Sequence, residues 1–359
     1  MLNQFLSFKN GKTSPDRTEA GNFPVFGSNG EIGRSDSTNA PGPLIVIGRV
    51  GSYCGSLFYS ETDAWVTDNA IVCSSKNSHD IRYWYYALQT LDLNGRSSGS
   101  GQPLLNQGVL GSIAFNPPAI ADRQAIAEVL GALDDKIAAN TKLADVADEL
   151  AITLLLPLPA TVALSAVVRH HKNSRNPEVI ETPEVAHFSL PAFDALRRPE
   201  LTSPADIKSS KFSIDKPSVL VSKLNPRFPR VWDVAEIPSV PALASTEFLV
   251  LEPLYSSTTF LWGMLSQPGF GMALESKVAG TSGSHQRVKP ADLLETLVLD
   301  PREVAAGLRD QVTSLGRRGS QARIENSFLT ATRDALLPQL MSGKLRVRDA
   351  EKVLEDVGV

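Results

Sequence analysis

The sequence contains little cysteine and no long apolar run. Its 359 residues include two cysteines, Cys54 and Cys73, whose spacing fits no metal-ligand pattern. The two residues suggest a reducing cytoplasm, and we expect them to be small hydrophobic side chains buried in the core. No apolar run approaches the roughly 18 residues of a membrane-spanning helix, and residues 1–12 lack the apolar core of a signal peptide. We therefore predict a cytoplasmic protein that does not enter a membrane.

The chain also lacks a large excess of either charge. Its formal net charge is -4 at pH 7, and 21% of its residues are charged. Global charge thus gives no sign of a nucleic-acid partner, and any surface for one must be local. The length predicts two or three domains, and a 42% share of hydrophobic residues is enough to build a core in each.

Motifs for nucleotide, cofactor and metal binding are missing. Gly27, Gly30 and Gly33 are three residues apart, but no G-x-G-x-x-G or G-x-x-x-x-G-K-[ST] pattern occurs and no helix pattern follows Gly33. His170 and His171 lie in a predicted linker without a second pair of ligands. We therefore predict that this chain binds no cofactor and no metal ion.

Catalytic motifs occur only as fragments. Residues 116–119 (NPPA) are similar to the NPPY motif of adenine methyltransferases, but Ala119 replaces the aromatic residue that stacks on the extruded base. The two prolines indicate the start of a helix instead. Residues 275–277 (ESK) are half of a nuclease E-x-K motif without its Pro-Asp partner upstream. We therefore predict no catalytic residue.

A heptad pattern predicts one long helix over about 120–156. Apolar or small residues recur there at steps of three and four, and they are Ile126, Leu130, Leu133, Ile137, Ala144, Ala147, Ala151 and Leu154. The polar residue of this row is Asn140, a residue type that fixes the register of paired helices. At 1.5 Å per residue the helix would be roughly 50 Å long.

A second heptad pattern covers about 304–341. Its row contains Leu308, Val312, Leu315, Ala322, Asn326, Leu329, Leu336 and Leu340. Gly316 and Gly319 weaken its middle, each by roughly 1 kcal/mol relative to alanine. We interpret the two helices as an antiparallel coiled-coil pair. The alternative is that each helix packs only on the core of its own domain.

The two halves of the chain repeat each other. Short apolar runs bounded by turn residues predict strands, with one helix at about 81–90. Four anchors recur in the same order, with shifts of 167, 174, 179 and 184 positions. The anchors are 24–26 (PVF) with 191–193 (PAF), 45–49 (IVIGR) with 219–223 (VLVSK), 67–72 (TDNAIV) with 246–251 (TEFLVL), and 99–117 with 283–301, including Leu110 with Leu294. A period this long indicates duplicated domains rather than a solenoid.

These patterns predict an α+β fold. Two repeated, mostly-β domains would be separated by two long antiparallel coiled-coil helices, giving a pseudo-twofold molecule. The predicted boundaries are 1–117 for the first domain, 118–157 for the first long helix, 158–301 for the second domain, 302–341 for the second long helix, and 342–359 for a charged tail.

Several sequence blocks resemble the specificity subunit of type I restriction-modification enzymes. In the first half they are FPVFGSNGEIG (23–33), IGRVGSYCG (47–55), WVTDNAIV (65–72) and SGSGQPLLNQ (98–107). In the second half they are PAFD (191–194), IKSSKF (207–212), VSKLNPRFPRVW (221–232) and STEFLVLEP (245–253). The ends of the helices, LDDKIAAN (133–140) and IENSFLTATRDALLPQLMSGKL (324–345), are similar too.

The resemblance implies a non-catalytic subunit that reads DNA. Each repeated domain would be a target recognition domain for one half of a bipartite double-stranded target. The helix pair would dock two adenine methyltransferase subunits, and two motor-nuclease subunits would join for restriction. S-adenosylmethionine would belong to the methyltransferase, and ATP and magnesium to the motor. The protein would work in the cytoplasm, on the nucleoid.

Basic and amide side chains near turns are the candidates for DNA contact, because cations bind phosphates and amides read base edges. In the first half they are Lys12, Asn29, Arg49, Tyr53, Arg96, Ser98, Ser100 and Gln102. In the second half they are Lys211, Lys223, Asn225, Arg227, Arg230, Ser284, His285, Gln286 and Arg287. The alternatives are a solvated basic face and mobile Gly/Ser loops, and Arg49 could instead pair with an acidic neighbour.

Two other functions remain open from the residues alone. A self-contained methyltransferase or nuclease would need the cofactor and catalytic motifs that are missing above. An interaction protein could use the coiled coil and never touch DNA.

Overall fold

The computed structural model describes residues 1–77, 79–97, 103–278 and 286–359. Within these residues the chain forms two compact units. Unit 1 comprises Met1–Ala139 and Asn326–Val359, and unit 2 comprises Asn140–Glu325. Both units combine helices with sheets, in agreement with the predicted α+β class.

The elements follow one another along the chain. The strands are β1 (Leu6–Asn10), β2 (Phe23–Gly27), β3 (Gly30–Ser35), β4 (Leu44–Gly48), β5 (Leu57–Ser60), β6 (Trp65–Val66), β7 (Ala70–Ser75), β8 (Val162–Ala163), β9 (Val168–His171), β10 (Ser174–Arg175), β11 (Val185–Phe188), β12 (Glu200–Thr202), β13 (Lys211–Ser213), β14 (Ser218–Ser222), β15 (Val231–Val234), β16 (Ala242–Ala244), β17 (Phe248–Pro253) and β18 (Leu297–Val298). The α-helices are α1 (Ile81–Gln89), α2 (Gln107–Gly111), α3 (Ile120–Leu155), α4 (Leu190–Leu196), α5 (Thr258–Leu265), α6 (Pro268–Glu275), α7 (Pro290–Leu294), α8 (Ala306–Met341) and α9 (Val347–Asp356).

Strand β4 lies at the centre of unit 1. The antiparallel sheet has the order β1-β7-β4-β5, and every residue of β4 is buried. Because alternate residues of a strand point to opposite faces, Ile45 and Ile47 enter the core under α1, while Leu44 and Val46 face a smaller core. That core also receives Phe26 of β2, in the sheet β3-β2-β6. Burial on both faces explains the continuous apolar run LIVIG.

Strand β14 has the same place in unit 2. The antiparallel sheet has the order β15-β14-β17-β9, and β14 is buried throughout. Val219 and Val221 face a core that includes α5, and Leu220 faces one that includes Trp232. A further sheet, β10-β13-β16-β11-β12, and a pair, β18-β8, complete the unit.

The two central sheets share their register, which confirms the repeat of 45–49 in 219–223. Ile45 lies opposite Cys73 in the way that Val219 lies opposite Leu251. Since Cys73 rather than Val72 matches Leu251, the shift between β7 and β17 is 178, and the predicted 179 was wrong by one residue. The side-chain period of a strand is two, so this single step places Val72 on the opposite face.

Two other repeat anchors also needed correction. Leu110 and Leu293 are both fully buried, whereas Leu294 is only partly buried and Leu297 is 56% exposed. The last block therefore repeats with a shift of 183 and not 184. The segment 24–26 is strand β2, but 191–193 lies in helix α4, so this anchor is not a structural repeat. Ser189 caps α4 by accepting from the Ala192 N–H, which starts a helix there.

Both long helices predicted from the heptads are present as α3 and α8. In unit 1 their segments contact each other: the Asn326 side-chain amide donates to Ile137 O at 3.1 Å, and Arg333 pairs with Asp134 at 2.7 Å. The segments therefore run antiparallel within unit 1. In unit 2 Arg323 of α8 pairs with Asp148 of α3.

Most residues of the two predicted heptad rows are buried. In unit 1 they are Ile126, Leu130, Leu133, Leu329, Leu336 and Leu340, and in unit 2 they are Asn140, Ala144, Ala147, Ala151, Val312 and Ala322. Ile137, Leu308 and Leu315 are only partly buried. At the end of α3 the buried residue is Leu155 and not Leu154, because a straight helix of 3.6 residues per turn drifts away from a seven-residue repeat.

The segment 342–359 is more than a charged tail. It contains helix α9, whose Ala350 and Leu354 are buried in the same core as Leu336 and Leu340. His170 and His171, predicted to lie in a linker, belong to strand β9. Cys54 and Cys73 are free, buried thiols as expected, and burial raises the pKa of both. None of the described helices is long and apolar enough to cross a membrane.

Candidate nucleic-acid interface

In unit 2 the candidate residues meet where β14 ends. The Lys223 N–H donates to Glu247 O at 2.8 Å, and the Val288 N–H donates to Lys223 O at 3.0 Å. The Asn225 N–H donates to Gln286 O at 2.9 Å. These bonds hold the turn after β14 against the segment 286–288, so Lys223, Asn225, Gln286 and Arg287 lie together although 60 residues of sequence separate them.

Asn225 holds this turn in an unusual backbone conformation. Its φ is 50°, in the left-handed region that costs most L-residues about 1–2 kcal/mol. Asparagine tolerates this region better than most residues because its short side chain can hydrogen-bond locally. The following residues are exposed: Arg227 lies 5.9 Å from the ring centroid of Phe228, which is 62% exposed. The turn therefore presents a cation and an aromatic ring to solvent, whereas Asn225 Oδ1 is buried and has no hydrogen-bond partner among the described residues.

Charges around this turn are mostly positive. Arg287 is held by Glu247 through two hydrogen bonds, at 2.7 and 3.2 Å. Burial, followed by the charges of Lys172, His171 and Lys223, lowers the pKa of His170. Lys172 thus adds a cation that the sequence did not single out. The sequence contains a pattern that could have identified Lys172, since Val168, His170 and Lys172 are spaced two residues apart, which is the side-chain period of a strand.

Unit 1 builds the same turn after β4. The Arg49 N–H donates to Asn69 O, and the Leu105 N–H donates to Arg49 O, each at 2.9 Å. The Gly51 N–H donates to Pro103 O at 3.2 Å, and Gly51 has a φ of 73°. Arg49 and Gly51 thus match Lys223 and Asn225 in position, hydrogen bonding and backbone conformation.

The other first-half candidates lie around the same end of β4. Tyr53 follows Gly51 and is 53% exposed, and the Lys12 N–H donates to Val66 O at 3.0 Å. Asn29 is exposed in the turn between β2 and β3, whose Ser28 carbonyl lies against Gly48. Arg96 ends a short turn whose Asn94 donates to Cys54 O at 2.7 Å. Arg49 donates to the main-chain carbonyl of Asp68 rather than to a carboxylate.

Two candidates are held inside unit 2. Lys211 is nearly buried on β13 and donates to Ser209 O and Oγ at 2.9 and 2.7 Å, and burial lowers its pKa. Arg230 donates to both carboxylate oxygens of Asp194, at 2.6 and 2.8 Å. Both side chains are therefore already bound within the protein, and Arg230 Nη1 is buried without a hydrogen-bond partner among the described residues. Ser98, Ser100, Gln102, Ser284 and His285 lie outside the described residues.

The described residues contain no group of three or more His, Cys, Asp or Glu side chains that could hold a metal ion.

Known proteins resemble the chain in two ways. The family model of the type I restriction modification DNA specificity domain matches residues 1–147. The specificity subunit of the type I restriction enzyme EcoprrI from Escherichia coli is 30% identical over 112 residues, which are 31% of this chain and 28% of that protein. The sequence match thus spans less than a third of this relative.

A solved structure extends the likeness to the whole fold. The S subunit of a type I restriction-modification system from M. genitalium aligns with a TM-score of 0.59 and 16% sequence identity, over 95% of this chain and 94% of that one. At this identity the match concerns the fold. This fold match and the match of residues 1–147 to the family model both agree with the resemblance seen in the sequence blocks.

Proposed function

We propose that the chain is the DNA-specificity subunit of a type I restriction-modification complex. The observation that carries this proposal is the basic turn that both units build at the end of their central strand. Arg49 in unit 1 and Lys223 in unit 2 occupy equivalent positions, each next to the segment that follows a Gly/Ser loop. Two copies of one interface suit a target that has two halves.

The side chains in each turn divide into two roles. Arg49, Lys223 and Arg227 bind phosphates, which gives affinity and orients the duplex without reading sequence. Asn29 and Gln286 read base edges, because an amide can donate and accept at the same time and recognises adenine in the major groove, and Asn225, whose Oδ1 is buried, reads through its Nδ2 donor. Tyr53 and Phe228 add exposed rings that pack against sugar or base.

The long helices set the distance between the two target recognition domains. We propose that α3 and α8 form an antiparallel coiled coil along their length and that the two units are related by a pseudo-twofold axis. The target recognition domains then comprise residues 1–117 and 158–301, and the helices that separate them comprise residues 118–157 and 302–341. Roughly 50 Å of helix corresponds to about 15 base pairs of duplex. A bipartite target with a fixed gap follows.

The complex supplies the chemistry. The helix pair docks two adenine methyltransferase subunits, which carry S-adenosylmethionine, and two motor-nuclease subunits with ATP and magnesium join them for restriction. This chain has no catalytic role. The complex acts in the cytoplasm, on the nucleoid, where its subunits meet chromosomal or invading DNA.

Mapping of modified adenines tests the role of the whole chain. The complex with its methyltransferase is expected to modify adenines within one bipartite motif. Exchanging residues 158–301 for those of a relative should change one half of the motif and leave the other half and the gap unchanged. Modification that is independent of this segment would contradict the proposal.

Salt dependence tests the interface. Neutralising Lys223 and Arg227 with glutamine should weaken DNA binding by the assembled complex and reduce the slope of log K against log salt by about 2, or about 1 per lost phosphate contact. The matched control replaces the exposed Arg175 and Arg198 of unit 2 with glutamine and should leave the slope unchanged. Equal slopes for all three proteins would favour an interaction protein that does not touch DNA.

A further inference from the structure

Each unit places an arginine at the fourth position of its long helix. In unit 1 this is Arg123 of α3, whose Nε donates to Pro118 O at 3.1 Å. In unit 2 it is Arg309 of α8, whose Nη1 donates to Pro301 O at 3.1 Å. Pro118 and Pro301 are related by the same 183-residue shift as Leu110 and Leu293. The two arginines are 186 residues apart, three more than this shift, so they correspond in helix position and in the proline carbonyl that each one contacts.

The corresponding arginines have different partners. Arg123 pairs with the carboxylate of Asp80, the N-cap residue of α1, at 2.5 Å, and both side chains are nearly buried. The corresponding helix in unit 2, α5, has Ser257 as its N-cap, and the Ser257 hydroxyl lies 2.8 Å from that of Thr313. Within the described ranges no carboxylate lies within 4 Å of the Arg309 guanidinium. Unit 2 therefore lacks the anion that unit 1 supplies internally.

An open groove of about 830 Å³ lies at this place in unit 2. Its cations are Arg309, Arg317 and Arg318, and its one acidic side chain is Asp310. Arg317 and Arg318 are exposed, and neither forms an ion pair or a hydrogen bond with another residue that the structure describes. The hydroxyls of Ser256, Ser257 and Thr313 line the same space. The groove thus offers a net positive charge and the unpaired guanidinium groups of Arg317 and Arg318, which suit an anion.

The spacing of the cations favours an extended anion. Arg309 and Arg317 are eight residues apart on one helix, which is about 12 Å along its axis. A peptide strand presents alternate side chains about 6–7 Å apart, so two or three acidic residues span this distance. The planar guanidinium group also matches a carboxylate through two parallel hydrogen bonds.

The position of the groove argues against DNA as its occupant. Strand β17 starts next to Glu247, whose carbonyl accepts from Lys223, and Tyr255 follows its other end. The six residues of β17 span about 20 Å, so the groove and the Lys223 turn lie at opposite ends of the strand. We propose that this groove binds an acidic segment of a partner protein. The inference does not depend on the DNA-reading role of the Lys223 turn.

Binding of a defined acidic peptide to the full chain tests this. The probe is fluorescein-labelled deca-glutamate, followed by fluorescence anisotropy at low salt. Because the whole chain has a net charge of -4, binding requires a local basic site. The double substitution R317E/R318E should weaken binding by about tenfold or more. R175E/R198E makes the same charge change elsewhere in unit 2 and should leave binding within about twofold.

Ser257→Asp is the sharper variant. Aspartate is as good an N-cap as serine, so α5 should fold unchanged, but the new carboxylate occupies the place that Asp80 has in unit 1. We expect an unchanged Tm and several-fold weaker peptide binding. The proposal is overturned if the wild-type chain does not bind the peptide, or if R317E/R318E and Ser257→Asp bind it normally.

Two further results would also overturn it. One is loss of peptide binding in Lys223→Glu/Arg227→Glu but not in R317E/R318E, which would place the peptide on the turn after β14. The other is displacement of the peptide by inorganic pyrophosphate or by duplex DNA at lower concentrations than by unlabelled deca-glutamate, which would identify a phosphate site.

Discussion

Asp134 of α3 accepts a hydrogen bond from the hydroxyl of Tyr86 at 2.5 Å and pairs with Arg333 of α8 at 2.7 Å. The Tyr86 ring is fully buried in α1. Burial, and next the hydrogen bond to Asp134, raise the pKa of Tyr86, so its hydroxyl stays protonated and remains a donor. One carboxylate thus connects three helices of unit 1 that are far apart in sequence.

Removal of this carboxylate should destabilise unit 1. Asp134→Ala leaves a buried hydroxyl without its acceptor, and we expect a loss of about 2–3 kcal/mol in the free energy of unfolding. The neighbouring Asp135→Ala is the matched control, because Asp135 is 61% exposed where it pairs with Arg82, and should cost about 1 kcal/mol or less. Urea denaturation measures both. Equal losses would show that the Asp134 network contributes no more than a surface ion pair.

Asp233 should make stability depend on pH. Burial raises its pKa, and the Thr259 and Thr258 hydroxyls lower it only in part. A raised folded-state pKa contributes stability when the group is protonated, and this contribution is lost as pH rises through the folded pKa. Asp233→Asn should therefore have a higher Tm than the parent at pH 7.5, and this advantage should shrink as the pH falls towards about 4.

Asp194→Asn is the control, because its Tm at neutral pH should change in the opposite direction. The hydrogen bonds from Arg230 lower the pKa of Asp194, so its stabilising effect is present at neutral pH and lost as the pH falls through the folded pKa. Its Tm should lie below the parent at pH 7.5 and approach the parent in acid. If the Tm of both variants shifts in the same direction at pH 7.5, the surroundings of the two carboxylates do not determine the sign of the change in stability.

Substitutions of Asn225 should separate turn geometry from DNA reading. Asn225→Gly adopts a φ of 50° without strain, so the Tm should stay close to that of the parent, while discrimination at one base pair falls by about 1–3 kcal/mol. Asn225→Val should lower stability by about 1–2 kcal/mol, since a β-branched residue disfavours the left-handed region. Thermal melts and binding to targets with single base-pair changes give the two readouts. A glycine variant with full base discrimination would exclude a reading role for this amide.

Helix α9 should be part of the stable core of unit 1. Leu354→Asp puts a charge where an apolar side chain is buried, and we expect a loss of at least about 2 kcal/mol. Lys352→Asp, at an exposed position of the same helix, should change stability by less than about 0.5 kcal/mol. Chemical denaturation of the full chain distinguishes them. Similar stabilities would mean that α9 does not contribute to the core.

The sequence alone determined the features that depend on local periodicity. The heptads around Leu130 and Leu329 predicted α3 and α8 to within two residues at each end, because helix geometry requires that spacing of apolar residues. The run at 44–48 likewise predicted a strand. Arg49, Lys223, Asn225 and Gln286 could be chosen as candidates because residue type and turn signals already indicate exposure and charge.

Tertiary structure decided which of these groups meet and which are already paired. Arg230 and Asp194 are 36 positions apart, and Arg123 and Asp80 are 43 apart, so no local pattern shows that these charges neutralise each other. The repeat shifts of 178 and 183 also required the structure, since neighbouring apolar residues look alike in sequence and only burial selects one of them. Local spacing follows from the geometry of a single helix or strand, whereas pairing and register depend on contacts between distant segments.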